Sequence, residues 1–283
     1  MFANVGDYTG GRAAVRLAQT AEAAGFDSVW AIEHVVVPAG YQSTYPYDAS
    51  GRLLAQSDDV SIPDPLIWLS WVGASTTRVR LCTGVMILPQ RNPVVLAKEV
   101  ATLDALSEGR VNLGVGVGWL AEEFEAIGVP FEARGRRTDD YIAAMRALWE
   151  QDRASHHGDF TDFDEIYLRP QPAAGTVPVV IGGHTEPAAR RAGRLGDGFF
   201  PAKGGPSRLR ELFDVMRDTA EGAGRDPAGI ELTTGGKPEG SYIERLAGLG
   251  VSRMILPAVG LDQIEQWGSE LCERFADLEP SLP

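Results

Sequence analysis

Short apolar runs alternate with amphipathic stretches about eight times along this sequence, and that alternation limits the fold more than any other feature. The runs fall at 1–4, 28–32, 79–86, 110–117, 177–181, 198–201, 230–234 and 253–256. Several are almost continuously apolar, the pattern of parallel strands covered on both faces. Parallel strands need crossover connections, and the stretches between the runs have helical periodicity. Eight strands and eight helices in 283 residues is the arithmetic of a (β/α)8 TIM barrel. No shift in composition marks a boundary, so residues 1–283 read as a single domain. Two stretches are too long for plain connectors. One, 37–63, follows the second strand and carries Tyr41, Tyr45 and Tyr47; the other, 152–176, precedes the fifth strand and carries Phe160, Phe163 and Tyr167. The first lies on the C-terminal face, where barrel enzymes hold their chemistry. The run at 1–4 is a stub for barrel closure, which leaves a late chain start as an open reading.

The helices carry recognisable ends. Asn92 offers a cap and Pro93 a first helical residue, Leu96, Val100, Leu103 and Leu106 share a face, and Gly109 can terminate. Asp139 or Asp140 is the expected cap of a helix bearing Ile142, Met145, Leu148 and Trp149. Thr185 is the expected cap of the next, with Pro187 in its first turn and Gly196 past its end. Leu209, Leu212, Phe213 and Met216 form one further stripe; Ile264, Trp267, Leu271 and Phe275 form another.

Composition serves mainly to exclude. No run of 18 apolar residues exists, so no membrane-spanning helix is expected. The opening MFANVGDYTGGR lacks the basic flank and apolar segment of a secretory signal. Cys82 and Cys272 have no CxxC spacing and read as reduced thiols of a cytoplasmic protein. A net charge of −13 without a basic stripe argues against nucleic acid. The clusters Arg134, Arg136, Arg137 and Arg190, Arg191, Arg194 read as solvated faces. His156 and His157 are neighbours in a polar insertion with no metal-ligand spacing, and no GxSxG nucleophile motif occurs.

Two glycine sites remain. VNLGVGVGWLAEEF contains G-x-G-x-x-A from Gly116 to Ala121, with Asp139 and Asp140 near the distance of a dinucleotide fingerprint. That fingerprint needs a second strand before its acid, and EEFEAIGVPFEARGRRT supplies none. Gly116 and Gly118 therefore read as side-chain-free positions at a strand end, where a flat ring can approach the backbone. In VVIGGHTEPAARRAGRLGDGFF a buried strand runs into Gly182-Gly183 and a helix opens at Thr185. Such a turn is either a plain connector or a cradle for a phosphate at a helix N-terminus.

Single residues follow from place and chemistry. His34 sits just past the second strand, where an imidazole can exchange a proton near neutral pH or simply close a hydrogen bond. Glu33 precedes it, and strand neighbours point to opposite faces, so only one of the pair faces a ligand unless the chain turns there. His184 is a ligand contact or a surface residue, and Lys203 an anion contact or a solvated loop lysine. Glu122, Glu123 and Glu125 read as first-turn helix acids facing solvent.

The stretches GFDSVWAIEHVVVP, RLCTGVMILPQRNPVVLAKEVATLDALSEGRVNLGVGVGWLAEEFEAIGVPFEARGRRTDDYIAAMRALW and PVVIGGHTEPAARRAGRLGDGFF together resemble the bacterial luciferase-like flavin and deazaflavin oxidoreductases. The likeness is strongest over residues 11–200 and to the branch that uses coenzyme F420. The resemblance implies a luciferase-like barrel, usually a homodimer, with a flavin-like ring over the strand ends. It places a non-proline cis peptide at Gly84-Val85 behind the ring, and His34 with Glu33 beside it. Gly116, Val117 and Gly118 border the ring pocket, and Gly182, Gly183 and His184 form the phosphate turn. The family's sugar-phosphate dehydrogenases carry a glutamate after the strand-four glycine; Val117 stands there instead, which argues against sugar-phosphate oxidation. The implied chemistry is hydride transfer between coenzyme F420 and a small organic substrate. His34 would handle a proton, with Glu33 beside it, and Tyr41, Tyr45, Tyr47, Trp119 and Lys203 would line the substrate pocket. Arg91 and the arginines of 134–137 are candidates for the coenzyme's anionic tail. FMN-dependent monooxygenation, fed by a separate flavin or F420 reductase, and a non-catalytic flavin-binding barrel are the alternatives.

Overall fold

The computed structural model describes residues 3–53, 57–272 and 275. Ten strands carry the labels β1 (Ser28–Ala31), β2 (Arg80–Thr83), β3 (Met86–Ile87), β4 (Val111–Gly116), β5 (Ala154–His157), β6 (Asp162–Ile166), β7 (Val179–Gly182), β8 (Gly198–Phe200), β9 (Glu231–Gly235) and β10 (Arg253–Ile255). The helices are α1 (Gly11–Ala23), α2 (Pro65–Gly73), α3 (Pro93–Leu106), α4 (Ala121–Ala126), α5 (Arg134–Glu150), α6 (Glu186–Leu195), α7 (Pro206–Gly222), α8 (Gly240–Ala247) and α9 (Leu261–Trp267). The main sheet runs β1-β2-β4-β7-β8-β9-β10, every neighbour parallel, with β3 extending onto β4. Helices cover its outside, and the architecture is the expected (β/α)8 barrel. Of the run at 1–4, Met1 and Phe2 lie outside the described residues. Ala3 donates its N–H to Trp30 O at 2.8 Å, and the Asn4 amide exchanges hydrogen bonds with both backbone groups of Ile32. These two residues run along the free edge of β1, and Tyr8 Oη reaches Val259 O beyond β10 at 2.6 Å.

Strand alternation sorts the side chains. Val29, Leu81, Leu113, Ile181, Phe199 and Leu232 point outward into the helix layer. Trp30, Cys82, Val180, Phe200 and Ile255 point inward and form a separate apolar cluster on the barrel axis. Burial pushes the Cys82 thiol up to about 12.

Several sequence expectations are corrected. The run 79–86 is not one strand: it breaks at Gly84-Val85, whose peptide is cis, between β2 and β3. The insertion 152–176 contains an antiparallel hairpin, β5-β6. Asp139 and Asp140 cap nothing, because α5 already starts at Arg134; they lie inside it and bind Arg191 and His156 instead. Leu106 is 80% exposed rather than part of the buried face, since it is the last residue of α3, past the helix's packing surface. The caps at Asn92 and the termination at Gly109 (φ 84°) stand as expected, whereas Thr185 makes no side-chain cap bond.

Close backbone approach explains the glycines of β4 and β7. A Cβ on Gly114 would overlap the Thr83 carbonyl oxygen; one on Gly116 would lie 2.7 Å from Val85 Cγ2, and one on Gly182 2.5 Å from Val85 Cγ1. Gly114→Ala is therefore expected to destabilise the fold by about 1–3 kcal/mol through overpacking. Gly222→Ala, inside α7 with nothing within 4 Å, should instead stabilise it by up to about 1 kcal/mol. Urea midpoints at unchanged slope measure both.

Candidate active site

A cavity of about 630 Å³ opens on the C-terminal face of the barrel. Much of its wall comes from segments just past parallel strands. Ile32, Glu33 and His34 follow β1; Gly84 and Val85 follow β2; Val117, Gly118 and Trp119 follow β4; Gly183, His184 and Thr185 follow β7. The volume suits a cofactor-sized ligand. The half-buried Val85 forms part of its floor, seated against Gly116 and Gly182. The glycines thus make room first for Val85, not directly for a ligand ring as the sequence suggested. Gly118 (φ 79°) turns the chain toward α4, with Ile87 and Phe124 where a side chain would stand.

His34 is the best-placed proton carrier. Its Nδ1 lies 2.9 Å from Glu123 Oε2, and its ring meets Trp119 edge-on at 5.7 Å. Glu123 is fully buried, so its reading as a solvent-facing acid is overturned. Its Oε1 accepts the Val35 N–H at 2.6 Å and the Val36 N–H at 3.3 Å. Glu122 accepts from the amides of Gln42 and Ser43, which fastens the insertion 37–63 to α4. The Ser43 hydroxyl first, and then these amides, hold its carboxyl down at about 2. Glu125 is exposed, as expected. The chain does turn after β1: Glu33 and His34 both reach the cavity wall, but the Glu33 carboxylate is engaged by Arg91 and the Ile87 amide. Arg91 also donates to Asp64 at 2.7 Å. Burial pushes the Glu33 carboxyl above its usual range, against the opposing pull of Arg91 and the Ile87 amide. Arg91 is thereby consumed and not free for an anionic tail.

Aromatic rings arch over the mouth. Trp119 meets Tyr45 at 5.1 Å, Tyr45 meets Tyr47 at 5.5 Å, and Tyr47 meets His184 at 4.8 Å. Burial lifts the Tyr47 phenol to about 12, so it is neutral and a donor at physiological pH. Tyr41 does not line the cavity: it is 3% exposed, packs behind Trp119 at 5.4 Å, and its hydroxyl accepts the Leu53 N–H. Lys203 is exposed and off the cavity wall; its Nζ donates to Tyr47 O at 3.0 Å, tying the insertion to the loop after β8. Residues 54–56 of that insertion lie outside the described residues.

The opposite wall is cationic. Arg134 donates to Gly118 O at 3.2 Å, lies over the Phe131 ring at 3.7 Å, and pairs with no carboxylate among the described residues. Arg191, expected on a solvated face, is 9% exposed and bound to Asp139. Arg136 is exposed and Arg137 is turned to the carbonyls of Pro130 and Glu132, which leaves Arg134 as the member of its cluster that reaches the cavity. Beside these cations the first turn of α6 offers amides without intrahelical acceptors. His184 Nδ1 is buried there without a hydrogen-bond partner among the described residues, and burial, with Lys203 and Arg208 nearby, holds this imidazole below its ordinary value. An anion among an unpaired cation, helix-end amides and an orphaned ring nitrogen fits this wall.

The luciferase-like monooxygenase family profile matches residues 2–238. The chain belongs to this family. An uncharacterized protein of Mycobacterium tuberculosis is 32% identical over 264 residues, 92% of each chain. The FMNH2-dependent dimethylsulfone monooxygenase of Pseudomonas putida is 30% identical over 213 residues, 74% of this chain and 53% of that protein. Among solved structures, the coenzyme F420-dependent tetrahydromethanopterin reductase of Methanopyrus kandleri superposes with a TM-score of 0.75 at 16% identity, covering 94% of this chain and 96% of that one. Enzymes of both cofactor types thus share this fold, an FMNH2-dependent relative and a coenzyme F420-dependent structural neighbour.

Sequence reasoning missed Glu123 and Arg191. Glu123 sits five residues past Gly118, and that position on the C-terminal face was the available signal. Nothing in the sequence pointed to Arg191. Replacing Arg91 with Leu leaves the Glu33 carboxylate buried without its cation, and is expected to cost about 3–5 kcal/mol. The raised folded-state value of Glu33 means that its folded form holds a proton more tightly than its unfolded form. Stability is then present below the ordinary carboxyl value and lost as pH rises through the folded one. Without the pull of Arg91 the Glu33 carboxyl lies higher still in the variant, so the Arg91→Leu deficit should shrink on acidification, read from urea midpoints.

Proposed function

We propose that this chain is a coenzyme F420-dependent oxidoreductase that moves a hydride between the deazaflavin and a small organic substrate. The observation that carries this reading is the polarity of the cavity. One end holds His34 under neutral aromatic rings; the other holds Arg134, the α6 first turn and His184. Val85 would carry the ring of a ring-bearing polyanion across such a gradient, and Gly182, Gly183 and His184 would hold its phosphate. The deazaflavin would supply a hydride-accepting carbon, and the protein would orient it and exclude water. His34 would take the proton from a substrate hydroxyl, or return it to a carbonyl, through its free Nε2. Glu33, bound to Arg91, would shape the wall rather than exchange protons. Tyr45, Tyr47 and Trp119 would hold the substrate, and Val117 leaves no second acid beside it.

A second reading is FMN-dependent monooxygenation with a separate reductase supplying reduced flavin. It is favoured by the 30% identity to a dimethylsulfone monooxygenase. Fluorescence titration with oxidised F420 and with FMN separates the two. Saturation by F420 at micromolar concentration with weak FMN binding is expected; tight FMN binding with weak F420 binding would reverse the assignment. His34→Ala should keep cofactor affinity while turnover falls by about 10²–10⁴-fold.

Homodimerisation belongs to the same proposal. Ile67 (74% exposed) on α2 and Val95 (55%) on α3 present apolar side chains outward, as does Trp71 (60%). The double variant Ile67→Glu, Val95→Glu should sediment as a monomer while the wild type sediments as a dimer; a monomeric wild type would defeat the idea.

A further inference from the structure

The geometry points to Glu123 as a positioning residue that fixes His34 in the Nδ1–H tautomer, so that neutral His34 meets the cavity through a bare Nε2 lone pair. One buried carboxylate, that of Glu123, gathers contacts from three nitrogens. Glu123 Oε1 accepts two backbone N–H groups, from Val35 at 2.6 Å and Val36 at 3.3 Å. Its Oε2 lies 2.9 Å from His34 Nδ1. A carboxylate has only acceptor sites. Two lone pairs cannot face each other at that distance in a fully buried place, so the proton between them sits on Nδ1. The ring has little freedom to escape this choice. Its side chain is 6% exposed, and the edge of Trp119 stands 5.7 Å away. His34 follows directly on Glu33, which is itself fixed by Arg91 and Ile87.

The consequence is chemical. A neutral His34 cannot donate into the cavity; it can only accept there. The ground-state partner that suits it is a hydroxyl donor, and the substrate class that follows is an alcohol rather than a carbonyl compound when the ring is neutral. On oxidation the O–H proton would pass to Nε2, the C–H hydride to the oxidised deazaflavin, and a carbonyl would leave. The resulting imidazolium would still donate through Nδ1 to Glu123. The substrate class rests on the proposed function; the tautomer does not.

A purely structural Glu123 would hold the 35–36 backbone and leave the ring indifferent. Glu123→Gln separates the two roles. The amide keeps the volume and an acceptor oxygen for Val35 and Val36, but turns an NH2 donor toward Nδ1. The test is a nitrogen-15 multiple-bond correlation spectrum of the four histidines in the full chain without added cofactor, with His34 assigned by its loss in His34→Gln. It is recorded across a pH series, and the tautomer is read where the His34 signals are those of a neutral ring. The expected result is an Nδ1–H pattern for His34 in the wild type and an Nε2–H pattern in Glu123→Gln, with both proteins folded by circular dichroism. The same tautomer in both folded proteins would overturn the inference, as would an Nε2–H His34 in the wild type, which decides the matter even if the variant does not fold. Because no cofactor is present, failure to bind F420 or FMN would defeat the proposed function and leave this result intact.

Discussion

Val85 can sit at the barrel mouth only because two neighbouring strand positions, Gly116 and Gly182, carry no side chain, and a third, Gly114, leaves room for the Thr83 carbonyl just before it. Gly114, Gly116 and Gly182 come from β4 and β7, and each lies within a bond length or two of where a methyl group would collide with Thr83 or Val85. Everything above that point depends on it. The break between β2 and β3 lets Met86 and Ile87 rejoin β4, and the Ile87 amide then meets Glu33. Glu33 holds Arg91, Arg91 holds Asp64, and Asp64 caps α2 through Leu66 and Ile67. One steric constraint at the axis is thus passed outward by hydrogen bonds to the helix layer.

Three acids near the mouth illustrate how environment assigns roles to identical groups. Glu33 is buried against a cation, Glu123 against an imidazole and two amides, and Glu122 accepts from a loop near the surface. The chain carries a net charge of −13, yet the cavity wall near α6 is cationic. The excess acid elsewhere leaves that local field in place, because surface charges beyond about 8 Å are screened at physiological salt.

The barrel was legible because strand and helix periods are local properties repeated many times over. Runs such as 177–181 and stripes such as Leu209, Leu212, Phe213 and Met216 declare their faces without any tertiary knowledge. The errors fall where distant residues decide. The break at Gly84-Val85 is surrounded by residues 30 and 97 positions away, and the local string CTGVMI reads as unbroken strand. The start of α5 was hidden because RGRRT looks like coil until Asp139, within the same helix, meets Arg191 and Arg194 on α6. Glu123 escaped because α4 spans only six residues, under two turns, too few for periodicity to separate a buried acid from its exposed neighbour Glu125. His34 and the glycines at 116, 118, 182 and 183, which all line the cavity, could be singled out for the opposite reason: a position at or just past a strand end is itself readable.

The apolar cluster of Trp30, Cys82, Val180, Phe200 and Ile255 has a kinetic meaning beyond its packing. It plugs the barrel axis directly beneath Val85, so the cavity is a well rather than a tunnel. In a well, traffic is last in, first out. A ligand resting on the floor blocks nothing above it, but anything seated under the aromatic arch of Trp119, Tyr45 and Tyr47 bars its exit. Order of binding is then dictated by depth alone.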